Sequence, residues 1–176
     1  MANVSLEKQF MLIINGPSGA GKSTISRKVW SGLSRCVILN LDEIKWMISD
    51  YSSTDLETAS LVGLDVVSRF LDSGFSVIVE KAFCKKEYVK PFIDLGMEKK
   101  VVVKVINIEA PKEVVALRAK KRGVVNKLHD KEIESSKVLR LYDNYIANKF
   151  EVDVTYDSSA LTVEEISSKI ISLILK

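Results

Sequence analysis

Nine residues, Gly16-Pro17-Ser18-Gly19-Ala20-Gly21-Lys22-Ser23-Thr24, stand directly between an apolar run, Phe10 to Asn15 (FMLIIN), and a helical pattern that opens at Lys22. The run is short and continuous, which predicts a strand buried on both faces, as in a parallel sheet. The spacing GxxxxGK[ST] after such a strand narrows the choice further. Its glycines permit backbone conformations that turn successive N–H groups inward, and the following helix adds the partial positive charge of its amino terminus. Together these make a cradle for a polyphosphate. Within it, Lys22 is expected to bridge the outer phosphates, Ser23 to offer its hydroxyl to Mg²⁺, and Thr24 to donate to the inner phosphate. The plain alternative is a glycine-rich turn that binds nothing.

The rest of the chain continues the alternation of strand and helix. Cys36 to Asn40, Phe75 to Glu80, Val101 to Ile108 and Phe150 to Tyr156 are further strand candidates rich in β-branched residues. Apolar residues recur at helical spacing over Lys22 to Leu33, Thr54 to Leu71, Lys86 to Leu95, Pro111 to Lys121, Lys131 to Lys149 and Thr162 to Leu175. Thr54, Pro111 and Thr162 supply cap or first-turn chemistry. This order predicts an α/β fold of three layers, a parallel sheet wrapped by helices on both faces, with ligands outside the carboxyl ends of the strands.

Composition bounds the chain without naming it. At 176 residues, against a prior of roughly 150 per domain, one domain spanning 1–176 is expected. With 47% apolar and 28% charged residues it is ordinary globular material, large enough to fold without a metal or disulfide staple. Cys36 and Cys84 stand far apart with no CxxC, which argues against zinc held by cysteine and suits a reducing compartment. The opening MANVSLEKQF lacks a leader pattern and no stretch approaches the roughly 20 apolar residues of a bilayer span, so a cytoplasmic protein with no membrane partner is expected. A net charge of +3 favours anionic ligands and leaves nucleic acid open as a partner.

A phosphate cradle implies a nucleotide, not a reaction. GTPase chemistry needs a DxxG after a strand, which is absent, and Asn126-Lys127-Leu128-His129-Asp130 places its aspartate one residue late for guanine recognition. There is no LSGGQ-like signature, and the chain is short for a ring ATPase. A small ATP-dependent kinase fits best. Phosphoryl transfer needs a carboxylate for the attacking hydroxyl and a cation for the acceptor. Asp42 and Lys45, just past the second strand, match those needs, although Asp42 could equally cap a helix. Glu80 closes the third strand where a carboxylate can hold Mg²⁺ through its waters, and it could instead contact the acceptor or serve as the base; Lys81, Lys85 and Lys86 follow. Arg118 and Arg122 lie four apart on one helical face before Gly123, suited to a lid over roughly 118–140 that closes on the transferring phosphate, with Arg140 a weaker candidate. His129 reads as a surface residue, and Trp30 and Trp46 as packing residues, Trp46 near the acceptor rim.

GPSGAGKST, LDEIK, VIVEKAF and NIEAPKEVVALRAKKRG, in that order, resemble the P-loop kinases grouped with polynucleotide 5′-hydroxyl kinases and zeta toxins, among the small AAA-domain ATP-binding kinases. The likeness covers most of the chain. It implies a P-loop NTPase fold with five parallel strands ordered 2-3-1-4-5 and a small helical lid. It implies ATP and Mg²⁺ as cofactors, residues 16–24 on the nucleotide, Asp42 as general base, Lys45 on an acceptor phosphate where polynucleotide kinases more usually carry arginine, and Arg122 with Arg118 on the transferring phosphates. Lysine cannot make the bidentate guanidinium contact, so an acceptor of unspecified type is implied rather than a nucleic acid end. Chloramphenicol phosphotransferases and other small-molecule kinases share the loop and the base. The expected activity is transfer of the γ-phosphoryl group to a hydroxyl of a polynucleotide or small molecule; the rival is a nucleotide-dependent binding module or switch with incidental hydrolysis.

Overall fold

The computed structural model describes residues 8–121 and 135–175. Five strands, β1 (Phe10–Asn15), β2 (Cys36–Asn40), β3 (Ser76–Glu80), β4 (Val102–Glu109) and β5 (Val154–Asp157), form one parallel sheet in the order β2-β3-β1-β4-β5. The helices are α1 (Lys22–Ser31), α2 (Leu41–Lys45), α3 (Leu56–Asp72), α4 (Lys86–Glu98), α5 (Lys112–Lys120), α6 (Ser135–Ala147) and α7 (Val163–Ile174). This is the expected three-layer fold and strand order.

Strand β1 is buried along its whole length, and its side chains divide between two cores. Phe10, Leu12 and Ile14 pack with Ile25 and Val29 of α1 and with Ile166, Ile170 and Ile174 of α7. Met11 and Ile13 face the other way, onto Val67 and Leu71 of α3 and Val89 and Phe92 of α4. The period-2 alternation of a strand makes this division, and covering both faces is what a parallel sheet requires. A smaller cluster of Ala110, Val115, Ala119 and Val138 joins α5 to α6.

Several boundaries differ from the sequence reading. The last strand starts at Val154, not Phe150, because Asp153 takes the Val105 N–H on its carboxylate at 2.7 Å and gives its own N–H to Val105 O at 2.9 Å, while Phe150 and Val152 pack into the core. Thr54 lies inside a 3₁₀ turn, Ser53–Asp55, capped by Ser52 with Asp55 closing a capping box, so α3 begins at Leu56. Pro111 is extended (ψ 150°) and precedes α5 as its cap instead of opening it. Thr162 does cap α7, with Glu165 answering.

Two close approaches place the ligand-facing end of the sheet. A Cβ on Gly63 of α3 would lie 2.5 Å from Leu41 Cδ2, so the bare backbone lets α2 sink Leu41 and Ile44 against α3. At Gly16 (φ +141°) a Cβ would lie 2.0 Å from the backbone oxygen of Ile108 in β4, an atom that cannot swing aside. Gly16→Ala should therefore cost about 2–4 kcal/mol by overpacking plus left-handed strain, read as a lower urea midpoint at unchanged slope.

Candidate functional site

The loop leaving β1 circles its own lysine. Positive φ at Gly16, Gly19 and Gly21 turns the backbone, Gly21 caps α1 in the left-handed conformation, and Lys22 Nζ donates to Pro17 O at 3.0 Å. Gly16, Pro17 and Ala20 form the loop's buried side. Ser18, Gly19, Gly21, Lys22, Ser23 and Thr24 line a cavity of about 710 Å³ beyond the carboxyl ends of the strands.

Glu80 ends β3 beside Ile14 and Asn40, its partners in register, and is buried at 4% exposure. Its carboxylate accepts from Ser23 Oγ on one oxygen and from Ser26 Oγ on the other at 2.7 Å. Ser26 was not singled out in the sequence, yet it sits three residues beyond Ser23 on the same face of α1, a spacing that could have found it. Glu80 thus faces the loop serines. Charged and hydroxyl oxygens side by side, shielded from solvent, suit a hard divalent cation.

The second wall is built on α2. Asn40, not Asp42, caps that helix: its Oδ1 accepts the Asp42 N–H at 2.9 Å. The Asp42 carboxylate is left to Lys45, which donates at 2.6 Å, and to Lys81, whose ammonium stands 3.7 Å from the same Oδ1. Burial pushes this carboxyl upward, and the charges of Lys45 and Lys81, with Lys22 further off, outweigh it and hold the group below its ordinary 3.8. Lys45 also lies over Trp46 at 4.8 Å, and Trp46 meets Tyr51 edge to face at 5.6 Å. Lys81 lines the cavity, whereas Lys85 and Lys86 are exposed and stand away from it.

Arg118 lines the same cavity from α5 but is turned onto the loop. Its guanidinium donates to Ser158 Oγ and to Ser158 O, both at 2.9 Å, and approaches Gly19 O and Ala20 O at 3.5 and 3.4 Å. Ser158 Oγ in turn donates to Ala20 O at 2.6 Å. The turn after β5 therefore braces the phosphate loop, a role with no motif to announce it beyond its position at a strand's carboxyl end. Arg122, Gly123 and His129 lie outside the described residues, and Arg140 is exposed on α6. Trp30 is anchored by its Nε1, which donates to Cys36 O at 2.8 Å. Burial pushes the Cys36 thiol up to about 12, and its side chain packs against the core that β1 shares with α1 and α7.

A family model described as an AAA domain matches residues 11–145, which include the loop, Asp42, Glu80 and Arg118. The chain belongs to this AAA-domain family. No curated protein matches it by sequence. Solved structures similar to it include a candidate kinase from Chloroflexus aurantiacus (TM-score 0.72, 19% identity, covering 94% of this chain and 98% of that one). The tunicamycin resistance protein of Deinococcus radiodurans superposes at 0.66 with 15% identity over 95% of this chain and 96% of its own. The APS kinase of Mycobacterium tuberculosis, solved in complex with AMPPNP and APS, does so at 0.66 with 13% identity over 96% and 99%. At these identities the likeness is one of fold.

Two measurements probe the site's construction. Ser158→Ala removes a hydroxyl that both donates and accepts, and should cost about 1–2 kcal/mol, with faster hydrogen exchange at the loop amides of residues 19–22. For Asp42, whose folded value is depressed, the stabilising contribution is complete above 3.8 and lost as pH falls through the lower folded value. The melting difference between the natural chain and Asp42→Asn should hold steady from about pH 8 to pH 5 and shrink below about pH 4.

Proposed function

We propose that the chain is an ATP-dependent phosphotransferase that moves the γ-phosphoryl group to a hydroxyl of an acceptor, as a single domain acting in the cytoplasm. One observation carries this reading. A carboxylate that its own helix does not use as a cap opens into the same cavity as the loop lysine, and two ammonium groups keep it ionised. Hydrolysis as a switch needs only the loop; a second charged wall suits an acceptor. The kinase names borne by proteins of the same fold, one solved with an ATP analogue, agree with it.

Residues 16–24 would wrap the triphosphate with main-chain amides, and Lys22 would exchange Pro17 O for phosphate oxygens. Ser23 and Glu80 would hold Mg²⁺, the serine directly and the glutamate through water, with Ser26 fixing the second glutamate oxygen. When bound, the ion supplies neutralising charge at the phosphates. Because Lys45 and Lys81 both address Oδ1 of Asp42, Oδ2 is the oxygen for the acceptor hydroxyl. As the acceptor oxygen bonds to the γ-phosphorus and the bond to the bridging oxygen breaks, releasing ADP, the hydroxyl proton passes to Asp42 and on to solvent. Arg118 holds the loop in shape, and Arg122, four positions on in the sequence, is assigned to the transferring phosphates. Most of the rate enhancement would be positioning and electrostatics.

Lys22→Ala should lower acceptor-dependent ADP formation by about 10³-fold or more at nearly unchanged melting temperature. Asp42→Asn should lower transfer by about 10²–10⁴-fold and leave ATP affinity intact; equal loss of both would remove Asp42 from the base role. The assay is ATP-dependent gain of phosphate across 5′-hydroxyl oligonucleotides, nucleosides, sugars, aminoglycosides and UDP-sugars. Failure of every class, with ATP consumed regardless, would overturn the phosphotransferase reading.

A further inference from the structure

The wall built on α2 carries one large apolar surface among polar and charged groups. Asn40, Asp42, Glu43, Lys45 and Lys81 line the cavity there, and the indole of Trp46 is set among them, half-buried. Its place follows from the helix. Trp46 ends α2 with helical dihedrals (φ −78°, ψ −7°) and its N–H bonds Asp42 O at 3.3 Å, so it stands one turn beyond Asp42 on the same side, while Leu41 and Ile44 turn inward to the core. The ring is held in place. Lys45 Nζ lies 4.8 Å from its centroid, and Tyr51 meets it edge to face at 5.6 Å with 60° between the planes. Trp30 differs: its Nε1 donates to Cys36 O at the start of β2, the end of the sheet away from the cavity.

An indole left on a cavity wall keeps in water an apolar area that contact with a flat ligand removes. Sites for small molecules join such a surface, which gives contact, to a few polar groups, which give orientation. Resting on the phosphotransferase reading, we infer that Trp46 is a specificity-determining residue that stacks on a planar ring of the acceptor while the acceptor hydroxyl meets Asp42 Oδ2. Side chains one turn apart on a helix have Cβ atoms about 5–6 Å from each other. The acceptor is therefore an alcohol whose hydroxyl lies roughly that far from an aromatic or heteroaromatic ring. Because Lys45 and Tyr51 already fix the indole, little rotamer freedom is lost when a ring settles on it. An acceptor without a flat ring reaches Asp42 but gains nothing from Trp46.

The test uses the full chain with Trp30→Phe, which leaves Trp46 as its remaining tryptophan, saturated with AMPPNP and Mg²⁺ so that the loop is occupied. Uridine and methyl β-ribofuranoside, the same hydroxyl with and without a planar ring, are titrated in turn, and 2-phenylethanol separates a plain aromatic ring from a heteroaromatic one. Uridine is expected to quench the Trp46 emission to saturation, and the riboside to leave it unchanged. By saturation-transfer NMR, Trp46→Ala should bind uridine about 5- to 100-fold more weakly and Trp46→Phe within about threefold of the natural chain, with the riboside signal the same in all three. Absence of quenching by both ring-bearing alcohols, or equal uridine binding by the natural chain and Trp46→Ala, overturns the inference and leaves Trp46 as a packing partner of Lys45. If AMPPNP itself does not bind, the donor assignment fails separately, and the same comparison on the nucleotide-free chain still decides Trp46. Uridine held at Trp46 with no gain of phosphate from ATP by any ring-bearing alcohol would sink the phosphotransferase reading and leave the ring site standing. Should Trp46→Ala not fold by circular dichroism, the quenching comparison decides alone.

Discussion

The central strand ends under a carbonyl that admits no side chain. Because the chain at Gly16 passes directly beneath Ile108 O, the loop that follows starts at a fixed height and heading above β4. Everything on the loop side of the cavity inherits that geometry. Helix α1 begins at Lys22, one side packed on Leu12 and Ile14 and the other bringing Ser23 and Ser26 onto Glu80. The parallel register then sets Glu80 level with Asn40, whose cap starts α2 and points Asp42 at the same space. A single steric constraint on one glycine is thus passed outward, through ladder pairing, to both walls of the cavity.

The two walls are electrostatically different. On the wall beside the loop the carboxylate of Glu80 is answered by neutral hydroxyls, a set of oxygens that suits a cation. On the wall built on α2 the carboxylate of Asp42 is answered by ammonium groups, which hold it below its ordinary value. The carboxylate that ends β3 and the one in α2, just past β2, thus have neighbours of opposite kinds, hydroxyls at Glu80 and ammonium groups at Asp42.

The sequence made the fold legible where one physical signal dominated. β1 and β2 match to the residue because uninterrupted apolar runs closed by a turn have few other readings. It misled where a polar side chain took over the backbone's bonding: Asp153 delays β5, and Ser52 with Asp55 moves the start of α3 past Thr54. In the site, Ser18, Gly19, residues 21–24, Asp42, Lys45, Glu80 and Arg118 were all readable and do line one cavity. Ser158 and the convergence of Lys81 on Asp42 were not, because each depends on which elements meet in space. Asn40 shows the same limit: only the geometry reveals that it, and not the aspartate two residues on, satisfies the helix end.

The contact between Ser158 and Ala20 spans 138 positions of the chain. During synthesis the loop emerges from the ribosome well before the turn that holds its carbonyl and the α7 side chains that close the core beneath it. A nascent chain lacking them has the glycine-rich motif but not its support. Support for the loop is therefore a property of the assembled fold, and a chain cut before Ser158 would carry the signature without its brace.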